Sequence, residues 1–215
     1  MEAVRDACPL IDWAVAARTL AGQMVSGDHY IVQPFPGGVL VAVVDGLGHG
    51  EEAIAAANLA IAVLREHADE SVVALLQRCH HRLKGTRGVV MSLASFSGQT
   101  RAMTWAGIGD VEGVLLRAAY SAQPARESIL LRGGVLGYQL PLLRATTVSV
   151  TGGDLLIFAT DGIRSGFAQA PLLNNPLIRQ AADGPQQLAN RLLADYGKET
   201  DDALVLVARC LEDTL

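Results

Sequence analysis

Apolar positions fall into two patterns that alternate in blocks. From about Glu51 to His67 they recur with helical spacing in a segment rich in Ala, Ile and Leu, and Asp69–Lys84 reads as a second helix, with Asp69 as its cap and Gly85 as its end. From Gly88 to about Phe158 the apolar runs are short and β-type: Val89–Phe96, Thr100–Ala106, Val111–Arg117, Ser128–Leu131, Ala145–Val150 and Leu155–Phe158. Ser97-Gly98, Gly133-Gly134 and Gly152-Gly153-Asp154 punctuate them. Two further strands, around Tyr30–Val32 and Gly38–Val44, precede the helices. Later in the chain Leu172–Ala182 and Pro185–Tyr196 read as helical, and Ala203–Arg209 closes as a strand. Runs of strands followed by runs of helices predict an α+β fold in which helices cover the sheets. No linker, internal repeat or low-complexity tract divides the chain, so residues 1–215 are expected to form a single domain.

Composition narrows the function classes. Hydrophobic residues make up 50% and charged residues 18%, which excludes a disordered or coiled-coil protein. The net charge is −5 and no run concentrates Lys and Arg, so nucleic acid is not an expected partner. The most apolar charge-free stretch, Ala53–Leu64, has 12 residues and is too short to span a bilayer. Glu2, Arg5 and Asp6 stand where a signal peptide would place an apolar segment. Three cysteines (Cys8, Cys79, Cys210), widely spaced and without a CxxC pair, argue against a disulfide framework or zinc site and for a reduced, cytoplasmic chain.

Three acidic sites share one context. Asp45 ends the apolar run Val39–Val44 and is followed by Gly46. Asp161 ends Leu155–Thr160 and is followed by Gly162, and Asp201-Asp202 precede Ala203–Val207. A carboxylate at the end of a buried strand is desolvated on one side, which is unfavourable unless a cation or hydrogen bonds compensate. Three such ends converging on one spot would offer hard oxygen ligands suited to Mg²⁺ or Mn²⁺, and a neighbouring glycine would let a backbone carbonyl approach the ion. The same Asp-Gly pairs are also ordinary turn chemistry after a strand. Overlapping the first site, Gly48-His49-Gly50-Glu51-Glu52-Ala53 satisfies the dinucleotide pattern G-x-G-x-x-A. Against that reading, Asp45, Glu51 and Glu52 would surround a pyrophosphate with negative charge, and helix continues where the second strand of that motif belongs. Neither Lys84 nor Lys198 lies in a P-loop pattern. His80 and His81, about 100° apart on a helix, cannot share a face and are expected at the surface. His29 and His67 have no partner by spacing. His49 lies four residues after Asp45 in a glycine-rich loop. The cysteines read as small buried hydrophobes, and Ser165 is not in a nucleophile-elbow pattern.

In order along the chain, Val43-Val44-Asp45-Gly46-Leu47-Gly48-His49-Gly50, Ala106-Gly107-Ile108-Gly109-Asp110, Ala159-Thr160-Asp161-Gly162-Ile163 and Asp201-Asp202-Ala203-Leu204 resemble the motifs of the metal-dependent PPM (type 2C) protein serine/threonine phosphatases. The resemblance runs from about Ser26-Gly27-Asp28 to Val205-Leu206-Val207. The Gly-His-Gly ending is similar to the bacterial branch that includes SpoIIE, RsbU and RsbX, and a short chain with no sensor domain ahead of the catalytic unit most resembles the RsbX type. What the resemblance implies is an α-β-β-α sandwich, two antiparallel sheets flanked by helix pairs, with two Mn²⁺ or Mg²⁺ ions per chain at one end. Asp45 would bridge both ions and the Gly46 carbonyl would bind one. Asp161 and Asp201 would complete the other. Asp28 matches an acidic position that reaches a metal through water, and Asp110 one that serves a third ion. The implied activity is that of a phosphoserine protein phosphatase in which metal-activated water attacks the phosphoryl group and no phosphoenzyme forms. The implied substrate is a phosphorylated STAS-domain stressosome protein of the RsbS/RsbR kind. There are departures. Leu47 stands where many members carry a histidine as general acid, which leaves His49 or a water molecule as the proton donor. Leu204 stands where Thr or Ser is usual, and Arg18 lies only upstream of the region of the phosphate-binding arginine. Leu47 keeps open a pseudophosphatase that binds a phosphoprotein without turnover, and Gly48–Ala53 keeps open a nucleotide-binding enzyme.

Overall fold

A computed structural model of the chain describes residues 10–119, 121–174 and 184–212. Two sheets form its centre. Strands β1 (Ile11–Arg18), β6 (Glu112–Leu116), β7 (Arg126–Ser128), β10 (Leu155–Ala159) and β11 (Ala203–Cys210) make the first, in the order β1-β11-β10-β6-β7. Strands β2 (Asp28–Phe35), β3 (Gly38–Gly46), β4 (Val89–Ser97), β5 (Ala102–Ile108) and β8 (Leu131–Arg132) make the second in chain order, and β9 (Thr146–Ser149) also pairs with β5. Every pairing is antiparallel except the short β5–β8 contact. Helices α1 (Glu51–Glu66) and α2 (Val72–Arg82) cover the second sheet, and α3 (Gly184–Tyr196) covers the first.

The layering follows from strands that are apolar on both faces. Successive side chains of a strand point to opposite sides. Along β3, Val39, Val41 and Val43 enter the layer between the sheets, while Leu40, Ala42 and Val44 pack under α1 and α2 with Leu64, Leu75 and Leu76. Along β11, Leu204, Leu206 and Ala208 face the other sheet, and Ala203, Val205 and Val207 face Leu188 and Leu192 of α3. Three stacked apolar layers result, each fully buried aliphatic side chain contributing about 1.5–3 kcal/mol of transfer free energy. Both faces of β3 being apolar, polarity alone does not set its register. The two-residue turn Pro36-Gly37, with Gly37 at φ +81°, sets it at one end.

Several local expectations are corrected. The cap of α2 is Ser71, whose Oγ accepts the Ala74 N–H at 3.3 Å, rather than Asp69. The run Ser128–Leu131 is not one strand: β7 pairs with β6 in the first sheet and β8 with β5 in the second, so the chain changes sheet across Ile129 and Leu130. β1, which the apolar pattern did not reveal, pairs along its length with β11. Of the expected helix Leu172–Ala182, Pro171–Asn174 is a 3₁₀ turn and residues 175–183 lie outside the described residues, as does Cys8. His80 is partnered rather than free at the surface, its Nδ1 accepting the Gly137 N–H at 3.1 Å. β3 is flanked by antiparallel β2 and β4, so the Gly48–Ala53 turn does not belong to the parallel βαβ unit that a dinucleotide site requires. Glu52 there is ion-paired with Arg87 at 2.6 Å.

Candidate metal centre

One end of the sandwich collects the acidic strand ends. Asp28 opens β2 and Asp45 lies near the end of β3, and the two are direct cross-strand partners. Directly opposed residues of an antiparallel pair have Cβ atoms about 4.5–5.5 Å apart, and like charges so placed are destabilising. From the other sheet, Asp161 follows β10 and Asp201 precedes β11. A cleft of about 360 Å³ is lined by Asp45, Asp110, Asp161, Asp201 and Asp202, with Leu47, Gly48 and His49 on its wall. Asp28 is buried beside it.

Glycines make the convergence possible. A Cβ on Gly46 would lie 2.3 Å from the Ala53 carbonyl oxygen, and one on Gly162 would lie 1.7 Å from the Asp202 carbonyl oxygen. Only glycine lets the end of β3 pack on the first turn of α1, and lets the Asp161 turn lie against the Asp201-Asp202 segment. Two other side chains brace this end. Thr160 donates Oγ1–H to Asp28 Oδ2 at 2.7 Å and accepts the Leu204 N–H at 3.0 Å. Asp202, buried where Asp201 is exposed, accepts the N–H of Leu20 and of Gly27 at 2.7 Å each. Neither role shows in the sequence beyond the presence of a polar residue at the end of an apolar run.

The electrostatics are those of a strongly anionic site. Among the described residues none of Asp28, Asp45, Asp161 and Asp201 forms a salt bridge. Burial, followed by the Asp28 and Asp161 charges, pushes the Asp45 carboxyl up to about 8. Asp28 rises to about 7, chiefly through burial, with the Thr160 hydrogen bond opposing and the Asp202 charge adding to the rise. Asp161 also rises, through burial and then Asp201, and Lys198 nearby partly offsets this. No group of three Asp, Glu, His or Cys side chains among the described residues is already gathered tightly enough to enclose an ion. Mg²⁺ sites commonly use one or two carboxylates with water completing the shell. The donor set of carboxylates with an adjacent backbone carbonyl fits hard divalent ions. Leu47 packs against the layer between the sheets and offers no proton. Arg18 donates to the Lys198 carbonyl.

Known proteins resemble this chain in sequence and in fold. The family described as stage II sporulation protein E (SpoIIE) matches residues 36–211. The phosphoserine phosphatase RsbX of Bacillus subtilis (strain 168) is 26% identical over 144 residues, 66% of this chain and 69% of its own. A chain solved in work on the bacterial stressosome, as a modular system adapted to control secondary messenger signalling, is similar with a TM-score of 0.83 and 31% identity, over 93% of this chain and 99% of that one. RsbX in complex with magnesium is similar with a TM-score of 0.76 and 22% identity, over 95% of this chain and 98% of its own.

Proposed function

Because the chain belongs to the SpoIIE family, within the metal-dependent PPM (type 2C) phosphatases, we propose that it is a phosphoserine protein phosphatase whose chemistry takes place in the acidic cleft. The observation that carries this reading is the convergence on one cleft of carboxylates from both sheets, none of them salt-bridged among the described residues. Asp45 and the Gly46 carbonyl, with Asp161 and Asp201, would hold two Mn²⁺ or Mg²⁺ ions. Asp28 would reach an ion through water, and Asp110 would serve a third ion. When bound, such an ion pair neutralises charge on the phosphoryl oxygens and acidifies water. The chain's own contribution is to hold its carboxylates at fixed strand ends and to shape the cleft, so that hydrolysis proceeds by attack of water and no phosphoenzyme forms. His49, exposed on the cleft wall, is the side chain available to protonate the leaving group.

The substrate we assign is a phosphorylated STAS-domain protein of a stressosome. The similarity to RsbX and to a stressosome chain supports that choice. Residues 1–215 would act as one catalytic domain in the cytoplasm. No described helix is long and apolar enough to cross a membrane. The test is phosphate release from para-nitrophenyl phosphate. Turnover is expected with Mn²⁺ or Mg²⁺ and none in excess EDTA. Full turnover in EDTA would end the metal reading, and Mn²⁺ binding without turnover would make the protein a pseudophosphatase.

A further inference from the structure

Each sheet supplies half of the candidate ligand set: Asp28 and Asp45 stand on the second, Asp161 and Asp201 at strand ends of the first. Two side chains outside that set cross between the sheets at this end. Thr160, 2% exposed, reaches from the end of β10 to Asp28 at the start of β2. Asp202, 9% exposed, reaches from the start of β11 to Leu20 and to Gly27, the residue before Asp28. The Leu204 N–H can only donate, so it occupies a lone pair on Thr160 Oγ1 and the hydroxyl proton is left for Asp28. Asp28 Oδ2 is thereby fixed as an acceptor with a defined orientation. Both oxygens of Asp202 already hold backbone amides, so its hydrogen bonds serve the loop entering β2.

Resting on the phosphatase reading above, we infer that Thr160 and Asp202 are positioning residues. They form a polar latch between the sheets that sets how far apart the two halves of the ligand set stand. Elsewhere the layer between the sheets is mostly apolar, crossed by the Ser92 hydroxyl donating to the Val111 carbonyl and by the Arg117 guanidinium donating to the Ser149 carbonyl, neither of which holds a candidate ligand. Apolar contacts are non-directional and do not define a separation at the precision a metal site needs. Directed hydrogen bonds do. Partners that orient metal ligands in this way are typically worth about 10–100-fold in metal affinity.

The test titrates Mn²⁺ into wild type, Thr160→Val and Thr160→Ser, with binding read by calorimetry and folding by thermal melts of the metal-free proteins. Thr160→Val keeps the shape and removes the hydroxyl, and should weaken Mn²⁺ binding by about 10–100-fold. Thr160→Ser restores the hydroxyl and should return affinity to near the wild-type value. Should Thr160→Val not fold, Asp202→Asn carries the test, because its amide accepts only one of the two N–H groups, and it should weaken Mn²⁺ by roughly tenfold. A purely structural role would lower the melting temperature of these variants and leave the Mn²⁺ affinity of the folded protein unchanged. That result overturns the latch. Absence of Mn²⁺ binding by wild type would instead overturn the metal reading on which the latch rests.

Discussion

Asp28 and Asp45 face each other across two strands, and among the described residues no basic side chain bridges them, an arrangement that contributes nothing to stability without a cation. At the other half of the site the adjacent carboxylates of Asp201 and Asp202 differ in what they are free to do. Asp202 holds two backbone amides at 2.7 Å, whereas Asp201 is exposed on the cleft. Asp201→Asn should therefore cost at least about 10²-fold in phosphatase activity at saturating Mn²⁺, and Asp202→Asn clearly less. Rates measured beside thermal melts separate lost chemistry from lost folding, and a larger loss for Asp202→Asn would make Asp202 the ligand. Asp45, Asp161 and Asp201 are legible in the sequence because a charge at the end of a buried apolar run needs a partner, whereas Asp110 is reached only through the family resemblance. The role of Thr160 is not, because its acceptor Asp28 lies 132 residues away and only the fold brings them together.

The strands that build the site read clearly where they are buried on both faces. Val39–Val44 and Ala203–Val207 are unbroken apolar runs, and each proves to be a central strand between a helix and the other sheet. β1 escaped because Ala14, Ala16 and Ala17 have low strand propensity, and its pairing partner, β11, lies at the far end of the chain. The crossing from β7 to β8 escaped because a change of sheet leaves no periodicity in so short a segment. Contacts between element ends depend on the motif glycines. Gly162→Ala would drive its Cβ to 1.7 Å from the Asp202 carbonyl oxygen, a backbone atom that cannot rotate aside. The expected outcome is a destabilisation of about 1–3 kcal/mol or more, read by denaturant unfolding, with weaker metal binding in whatever folds. An unchanged unfolding midpoint would show that the Asp161 turn and the β11 entry are not in contact.

At the scale of the whole molecule, three apolar layers hold a cluster of carboxylates at one end of the sandwich, and its charge must show in the pH dependence of stability. Asp28 and Asp45 hold protons in the metal-free native state up to about pH 7 and 8, whereas the unfolded chain releases them near 3.8. Between those limits the native state binds more protons, so the stabilisation present at low pH is lost as pH rises through the native values. Metal-free protein should melt at lower temperature at pH 8.5 than at pH 5.5 through these two groups, and saturating Mg²⁺, which favours the charged form, should reverse the trend. A flat metal-free profile would mean that burial does not keep these two carboxyls protonated in the native state. The central claim is that this end of the sandwich is a two-ion centre assembled from both sheets. Anomalous diffraction at the manganese edge, from crystals grown with Mn²⁺, tests it most directly. Two peaks are expected in the cleft, between Asp45 on one sheet and Asp161 with Asp201 on the other. Manganese bound elsewhere, with no peak among these carboxylates, would contradict it.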